Sequence, residues 1–289
     1  MNNAALFIMT VFVWGTSWIA ITWQIGPIPV MVSVAYRMGL ASVLLLLVLA
    51  AFGKLVFPKV WRFVVLQAAL LFSLNFVALY NATSFITSGQ VSVIFSLASI
   101  FNALNLRLFF GTAITWRVLC AGLIGFLGLA LLFWQDLAIS TNKDALIGIA
   151  WATLGTSLFS LGNMASRKNS ALGVTPVIAN AWGMGLGAVL LLLIAITRGI
   201  PIPLPSDTQY IAALLYLSVF ASVIGFTCYL MLVDRIGAAQ AGYATVLFPI
   251  VALIVSSIFE SFEWTGLAIA GIALTIAGNL VMFGGSRQT

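Results

Sequence analysis

The sequence contains no histidine and very few charged residues. Only 6% of its 289 residues are charged and six residues are acidic, whereas 63% are hydrophobic. The mean hydropathy is +1.18. Soluble domains usually carry about a quarter charged residues. Because so few charges cannot cover a water-exposed surface, the composition excludes a soluble globular domain and predicts a protein integral to a membrane.

The same absences argue against several functions. Without histidine, paired carboxylates or a nucleophile beside a base, we expect no intramembrane enzyme, no metal centre and no cofactor. Cys120 and Cys228 lie in apolar runs and form no disulfide framework. The pI near 9.7 does not indicate nucleic-acid binding, because the basic residues are scattered singly. Channel motifs such as rings of charge are also missing, although uncharged groups could line a pore.

Long apolar runs predict an all-α integral membrane fold of ten transmembrane helices, because a helix needs about 20 apolar residues to cross a bilayer. The runs are continuous rather than alternating, which favours helices over a β-barrel. Pro249 lies within a span and should bend the ninth helix. The predicted spans are roughly 4–22, 30–52, 62–81, 86–109, 114–134, 145–167, 175–197, 209–232, 238–259 and 264–283.

The distribution of lysine and arginine predicts the orientation of the chain. With a cytoplasmic N-terminus, nine basic residues lie on the inner side and two on the outer side. The first 22 residues lack the basic start of a signal peptide, so we expect them to form a retained helix. The prediction is a multi-pass protein of a bacterial inner membrane with both termini in the cytoplasm. The inner residues are Lys54, Lys59, Arg62, Arg107, Arg117, Arg167, Lys168, Arg235 and Arg287, and the outer ones are Lys143 and Arg198.

An internal repeat divides the chain into halves. The strip "MGLASVLLLL" at 38–47 recurs as "MGLGAVLLLL" at 184–193, an offset of 146 residues, and eight of ten positions are identical. Similar offsets relate Pro29 to Pro176, Tyr80 to Tyr229 and Trp116 to Trp264. We therefore predict five-helix repeats at 1–140 and 141–289. Because five is odd, the second repeat should be inverted in the membrane, with the substrate near the midplane between the halves.

Aromatic residues on equivalent helices predict a chamber between the halves. Trp14 and Trp18 are four residues apart and share one face of the first helix. Phe159 on the sixth helix corresponds to Trp14 at an offset of 145. We expect rings from both halves to meet across the repeat axis and to line the chamber, although packing or lipid-facing roles stay open.

Arg37 is the one basic residue well inside a span, and an ionisable residue at that depth is a candidate for function. It could bind a substrate carboxylate. Alternatively, it could anchor helix-end carbonyls or extend its side chain towards the outer surface. The sequence leaves these roles open.

Uncharged polar side chains inside the spans must face protein or water, so they could line the chamber or join helices. Together they would suit a zwitterion with an apolar side chain. The fifth and tenth helices carry small residues and almost nothing polar in mid-span, which predicts a scaffold or a dimer face. Hinge or gate positions are predicted at Gly89, Gly237, Gly242 and Pro249. The polar candidates are Asn75, Tyr80, Ser96, Asn102, Asn105, Asn163, Trp182, Tyr216 and Tyr243.

Three segments resemble the drug/metabolite transporter superfamily in its ten-helix EamA-type branch. They are "FVWGTSW" at 12–18, "AYRMGLA" at 35–41 and "FESFEWTGLAIAGIALTIAG" at 259–278. Where the family has a glutamate at the end of the fourth helix, this chain has Thr112, while the second half keeps Glu260. The family's mid-span proline is Ser99 in the fourth helix and Pro249 in the ninth.

The resemblance implies an exporter of small metabolites, most similar to the YddG-type exporters of aromatic and other neutral amino acids. We expect an alternating-access carrier for such amino acids, acting as a monomer or homodimer. A broader drug or sugar-metabolite exporter of the same fold is the alternative. Because all six acids lie in loops or at span ends, no buried carboxylate is available for proton coupling, which predicts facilitated diffusion.

Overall fold

The computed structural model describes residues 2–136, 142–236, 241 and 243–283, without the side chains of residues 233, 234 and 283. These residues form ten apolar helices and no strand. Seven of the helices are long and apolar enough to cross a membrane, and the other three are shorter. The predicted all-helical membrane fold is therefore confirmed.

The first half of the chain contains five helices that overlap the first five predicted spans. α3 contains a π-helical segment at Leu70–Leu74, and α4 is interrupted at Leu97. The helices are α1 (Asn3–Thr22), α2 (Val30–Ala51), α3 (Arg62–Ala82), α4 (Ser88–Phe110) and α5 (Trp116–Leu132).

The second half repeats this order with five more helices. α8 runs through the three segments Thr208–Leu215, Tyr216–Ile224 and Gly225–Ile236, of which the middle one is π-helical. The remaining helices are α6 (Lys143–Ala171), α7 (Pro176–Thr197), α9 (Ala244–Phe259) and α10 (Gly266–Phe283).

Local sequence signals fix several helix ends. Thr87 precedes α4 in a capping box, because its hydroxyl accepts a hydrogen bond from the Gln90 backbone N–H while the Gln90 carboxamide oxygen accepts one from the Thr87 N–H. Gly111 ends α4 with a φ of 69°, a left-handed conformation that favours glycine. Pro176 is the first residue of α7, where a missing N–H breaks no helical hydrogen bond.

Helix packing follows the internal repeat. α1 packs against α8 and α9, and the equivalent α6 packs against α3 and α4. The equivalent helices α2 and α7 pack on each other, and so do α5 and α10. The α5–α10 contact is close, since a Cβ added at Gly278 would lie 2.9 Å from the Ala121 carbonyl oxygen. The main interhelical contacts of each half are therefore made with helices of the other half.

The two π-helical segments occupy equivalent places in the repeat. Adding the offset of 147 to Leu70 gives position 217, which lies within Tyr216–Ile224. A π-helical turn leaves backbone carbonyls outside the regular hydrogen-bond pattern, and such turns are frequent at functional sites. In α8 the Ala221 carbonyl oxygen accepts a hydrogen bond from the indole of Trp14 on α1.

Candidate functional site

Four aromatic rings from both halves meet where α1, α4, α6 and α9 converge. Trp18 lies edge-on to Phe95 at 5.5 Å between ring centroids and stacks on Phe248 at 6.2 Å. Phe95 in turn contacts Phe159 at 4.6 Å and Phe248 at 6.2 Å. We call Trp18, Phe95, Phe159 and Phe248 the central ring cluster. α1 and α4 belong to the first half of the chain, and α6 and α9 to the second.

Trp14 contacts rings of the second half outside the central ring cluster. Its indole contacts the rings of Phe226 and Tyr229 on α8 at 5.4 and 5.0 Å. Its Nε1 donates a hydrogen bond of 3.3 Å to the Ala221 carbonyl oxygen. Trp14 and Phe159 therefore belong to two separate groups of rings, because the π-helical segment of α8 offers Trp14 an acceptor, while Phe159 contacts Phe95 in the central ring cluster.

The fourth and ninth helices meet at one end of the bundle. We call this end, which carries residues 23–29, 83–87, 198–207 and 260–265, the outer end, following the orientation predicted from the charges. There Gly89 lies so close to α9 that an added Cβ would be 2.9 Å from Ser256 Cβ and 3.0 Å from Leu253 Cα. The Ser88 backbone N–H donates to both carboxylate oxygens of Glu260 at 3.0 and 3.1 Å, and the Ser88 hydroxyl also donates to Glu260. We call this contact the outer closure.

The inner half of α4 packs differently. α9 contacts the outer segment Ser88–Ser96 of α4, whereas the inner segment Ala98–Phe110 packs chiefly against α6. Two amide hydrogen bonds join these helices: Asn163 Nδ2 donates to Asn102 Oδ1 at 3.2 Å, and Asn105 Nδ2 donates to Ser160 Oγ at 2.8 Å. The predicted polar candidates Asn102 and Asn163 are therefore in contact with each other, and both are half-buried in mid-span.

The interruption of α4 is held by a residue on α10. Ser99 Oγ donates to Asn279 Oδ1 at 2.9 Å, and Asn279 Nδ2 donates to Ser96 Oγ at 3.2 Å. Asn279 is buried and also bonds the Thr275 carbonyl oxygen at 3.1 Å. Asn279 is not among the predicted polar candidates, because α10, with almost nothing polar in mid-span, was predicted to be a scaffold or a dimer face. The sequence signal that could have identified it is its carboxamide, the only one in α10, where Thr275 is the only other polar side chain.

Arg37 is buried in a polar cluster in the outer half of the bundle, with 3% of its side chain exposed. Its Nε and Nη1 donate to Ser222 Oγ and the Tyr80 hydroxyl, both at 3.4 Å, and its guanidinium lies 4.5 Å from the centre of the Phe76 ring. The Tyr80 hydroxyl donates to Gln24 Oε1 at 2.8 Å. The predicted candidates Arg37 and Tyr80 thus form one cluster that joins α2, α3 and α8 to the loop after α1.

The other predicted residues lie apart from these clusters. The Tyr216 hydroxyl is hydrogen-bonded to Thr16 Oγ1 at 2.6 Å. Asn75 is fully buried directly after the π-helical segment of α3, and its carboxamide has no hydrogen-bond partner among the described residues. Tyr243 is half-buried next to the first turn of α9. Pro249 lies inside α9 and is buried, while Gly237 and Gly242 are outside the described residues.

Trp182 lies at the inner end, where its Nε1 donates to the Val56 carbonyl oxygen at 3.0 Å. Its ring contacts those of Phe57 and Trp61 at 4.9 and 5.5 Å. These partners belong to the loop before α3 rather than to a transmembrane helix, so Trp182 is placed away from the central ring cluster.

A cavity of about 390 Å³ opens beside the outer closure. It is bordered by polar groups that include the capping residues Thr87 and Gln90 and the carboxylates of Asp136 and Glu260. Gln90 Nε2 donates to Asp136 Oδ2 at 3.5 Å. The remaining residues that line it are Thr83, Ser84, Phe85, Ile86, Asn142 and Ala145.

Comparisons with known proteins identify a transporter family and a solved structure with the same fold. The model of the EamA-like transporter family matches residues 2–134 and 146–284. The uncharacterized transporter YvbV of Bacillus subtilis is 22% identical over 95% of this chain and 89% of its own length. A probable terminal-alkyne amino-acid exporter of Streptantibioticus cattleyicolor is 26% identical over 68% of this chain, and the match spans less than two-thirds of that protein, 64%. A crystal structure with 15% identity has a TM-score of 0.69 and covers 99% of both chains, which shows the same fold.

Proposed function

The chain belongs to the EamA-like transporter family, and from this premise we propose that it exports small neutral metabolites, aromatic and other neutral amino acids in particular, by alternating access. The central ring cluster is the observation that carries this proposal. Its rings come from both halves and would contact an apolar side chain placed between them. The similarity to a probable amino-acid exporter supports the same substrate class.

The proposed mechanism treats residues 1–140 and 141–289 as inverted five-helix repeats in a bacterial inner membrane, with both termini in the cytoplasm. The two separate family matches and the repeated packing of equivalent helices support this arrangement. Inverted repeats give two conformations of similar energy, each open to one side, around a site near the midplane. Rocking of the two halves would then carry the substrate across.

We assign this structure to the conformation that is closed to the outside. The support is the outer closure, in which Gly89 and Glu260 hold α4 and α9 together. In the part of the chain that the structure describes, the inner segment of α4 packs chiefly against α6 rather than α9, so the substrate would enter the central ring cluster from the cytoplasm between α4 and α9. The half-buried amides of Asn102 and Asn163 would then lie along the entry route.

Transport is proposed to run down the gradient of the substrate itself. A proton-coupled carrier generally uses a titratable carboxylate within the membrane. The described carboxylates lie in loops or at helix ends, where Glu260 is engaged in the outer closure. Protein in liposomes should therefore exchange amino acids at the same rate with or without a pH gradient.

The test is uptake of labelled amino acids into liposomes that contain the purified protein. We expect saturable uptake of phenylalanine and tryptophan, with slower uptake of leucine and threonine. Phe159→Ala should lower phenylalanine transport roughly tenfold, because one aromatic contact is worth about 0.5–1.5 kcal/mol beyond its buried area. Phe126→Ala is the matched control, since Phe126 is 69% exposed on α5.

Three results would contradict the proposal. Uptake no faster than into protein-free liposomes for every amino acid would overturn the substrate class. Accumulation that requires a pH gradient would overturn uncoupled transport. Equal rates for Phe159→Ala and Phe126→Ala would remove the central ring cluster from the pathway.

A further inference from the structure

The Arg37 cluster contains a buried positive charge whose contacts among the described residues are all with neutral groups. Ser222 and Tyr80 offer hydroxyls at 3.4 Å, long for bonds to a guanidinium, and Phe76 offers its ring face. A charge buried in low dielectric is costly unless a partner of opposite charge compensates it. The cluster is therefore electrostatically incomplete, and an anion would complete it.

The groups of this cluster that lack hydrogen-bond partners are N–H donors. A guanidinium carries five N–H groups and no acceptor, and the contacts above use two of its nitrogen atoms. Gln24 is fully buried, and its Nε2 has no hydrogen-bond partner among the described residues, while its Oε1 accepts from Tyr80. Because the unsatisfied groups are donors, the missing partner must supply acceptor atoms.

The internal repeat shows that the corresponding position in the second half carries no cation. At the offset of 146 given by the repeated strip, Arg37 corresponds to Gly183 on α7. There a Cβ would lie 3.1 Å from the Phe72 ring, so α7 packs against α3 with no side chain at all. The buried polar side chains that precede it on α7 and face it from α3 and α6 are neutral amides, in which Gln67 donates to Asn180 at 2.9 Å and accepts from Asn169 at 2.8 Å. Arg37 is thus an addition to the first half rather than a requirement of the repeat.

We propose that Arg37 and Gln24 form a subsite for a monovalent carboxylate, the carboxylate of the transported amino acid. This inference rests on the proposed function and deepens it. The planar guanidinium can bind a carboxylate through two parallel N–H groups, and the Gln24 amide adds a neutral donor. Ser222 follows Ala221, the residue bonded by Trp14, so the subsite adjoins the aromatic contacts of α8.

Binding at this subsite requires movement, because Arg37 and Gln24 are both buried in the outer-closed conformation. The Ser222 side of the cluster lies in the π-helical segment of α8, and π-helical turns are rare, locally irregular elements. A shift of this segment would open the guanidinium to the chamber. The carboxylate would then bind as the outer end opens.

The first experiment measures binding without transport. The melting temperature of the purified protein is recorded with phenylacetate, with the uncharged phenylacetamide and with chloride at matched ionic strength. We expect phenylacetate to raise the melting temperature of the wild type by several degrees and the other two to leave it unchanged. Arg37→Met should abolish the shift, Arg37→Lys should keep part of it, and the control Arg107→Met should keep all of it, because Arg107 is exposed at the inner end of α4.

The second experiment measures the role of the carboxylate in transport. For Arg37→Met, the KM for phenylalanine should rise roughly 10- to 100-fold, the range expected for loss of a hydrogen bond to a charged group. The KM for phenethylamine, a monocation that lacks the carboxylate, should not rise, because the variant loses no favourable contact with it and removes a like charge. Retained phenethylamine transport also shows that the variant is folded.

Each outcome decides the proposal separately from the proposed function. A chloride-induced shift without a phenylacetate-induced shift would overturn the carboxylate assignment, and so would equal losses for phenylalanine and phenethylamine. A phenylacetate-induced shift that persists in Arg37→Met would show that the anion binds at another site. If no amino acid is transported but the Arg37-dependent phenylacetate shift is present, the subsite stands while the proposed substrate class fails.

Discussion

The outer and inner ends of the α4–α9 pair differ in a way that the internal repeat makes visible. At the outer end, the Glu260 carboxylate accepts hydrogen bonds from the backbone and side chain of Ser88 at the start of α4. Subtracting the offset of 148 places its inner counterpart at Thr112, after the end of α4, which is exposed and uncharged. A carboxylate at a helix N-terminus is favoured by the unpaired N–H groups and the helix dipole.

The difference implies that the two conformations of the carrier are not equal in energy. Closing the outer end gains charge-assisted hydrogen bonds that closing the inner end lacks, and such bonds are worth about 1.5–3 kcal/mol. We therefore expect the protein at rest to be closed outside and open inside, which suits a carrier that takes its substrate from the cytoplasm.

The difference between the outer and inner ends is tested with one reporter, a cysteine introduced at position 256 in the outer closure. Ser256 is fully buried there, and its hydroxyl has no hydrogen-bond partner among the described residues, so Ser256→Cys should cost little. The native Cys120 and Cys228 are replaced by serine in the reporter protein. The rate at which a membrane-impermeant maleimide labels the new cysteine from outside then reports how often the outer end is open.

The largest effect is expected from Gly89→Leu, which should prevent the outer closure. A Cβ at Gly89 already meets Leu253 and Ser256 at about 3 Å, so a leucine cannot fit unless α4 and α9 separate. Labelling of the reporter should rise roughly tenfold or more, and transport should be lost, because alternating access needs both closures.

Gly266→Leu is the matched control for this variant, since a Cβ at Gly266 meets no atom within 4 Å. The two variants should elute alike in size-exclusion chromatography. Normal transport by Gly89→Leu would show that the contact between α4 and α9 is not a gate.

Glu260→Gln should weaken the hydrogen bonds of the outer closure without adding bulk between α4 and α9. The amide oxygen of glutamine can still accept a hydrogen bond from Ser88, but the loss of charge removes about half the strength of the bond. Labelling of the reporter should rise roughly fivefold, an intermediate change. Glu263→Gln is the control because Glu263 is exposed nearby, and equal labelling rates for the two variants would remove the special role of Glu260.

Much of the fold could be predicted from the sequence, because the length of an apolar run and the register of the repeat are properties of the sequence itself. The runs predicted ten spans, and ten helices overlap them. The family resemblance was also correct, and the matching model covers both halves. The gate position at Gly89 came from its place near the outer end of α4, and the structure puts it against α9.

Which side chains contact one another in the candidate site could not be predicted from the sequence. Trp14 contacts α8 because a π-helical turn presents the Ala221 carbonyl oxygen. No residue type in Tyr216–Ile224 predicts such a turn. α4 is interrupted at Leu97 without a proline, and the residue that holds the interruption, Asn279, lies on another helix. Such contacts depend on how the helices are rotated against one another, which a single sequence does not specify.

The smallest effect is expected from Thr112→Glu, which would give the inner end the carboxylate that the outer end has. Thr112 is exposed, so the new charge stays solvated and its interaction with the start of α9 should be worth about 0.3–1 kcal/mol. Stabilising the inner closure opens the outer end more often, and labelling of the reporter should rise about twofold. Thr112→Gln controls for side-chain length without charge. If Thr112→Glu lowers the labelling rate or matches Thr112→Gln, the resting preference for the outer-closed conformation does not come from the difference between Glu260 and Thr112, and another contact of the α4–α9 pair must set it.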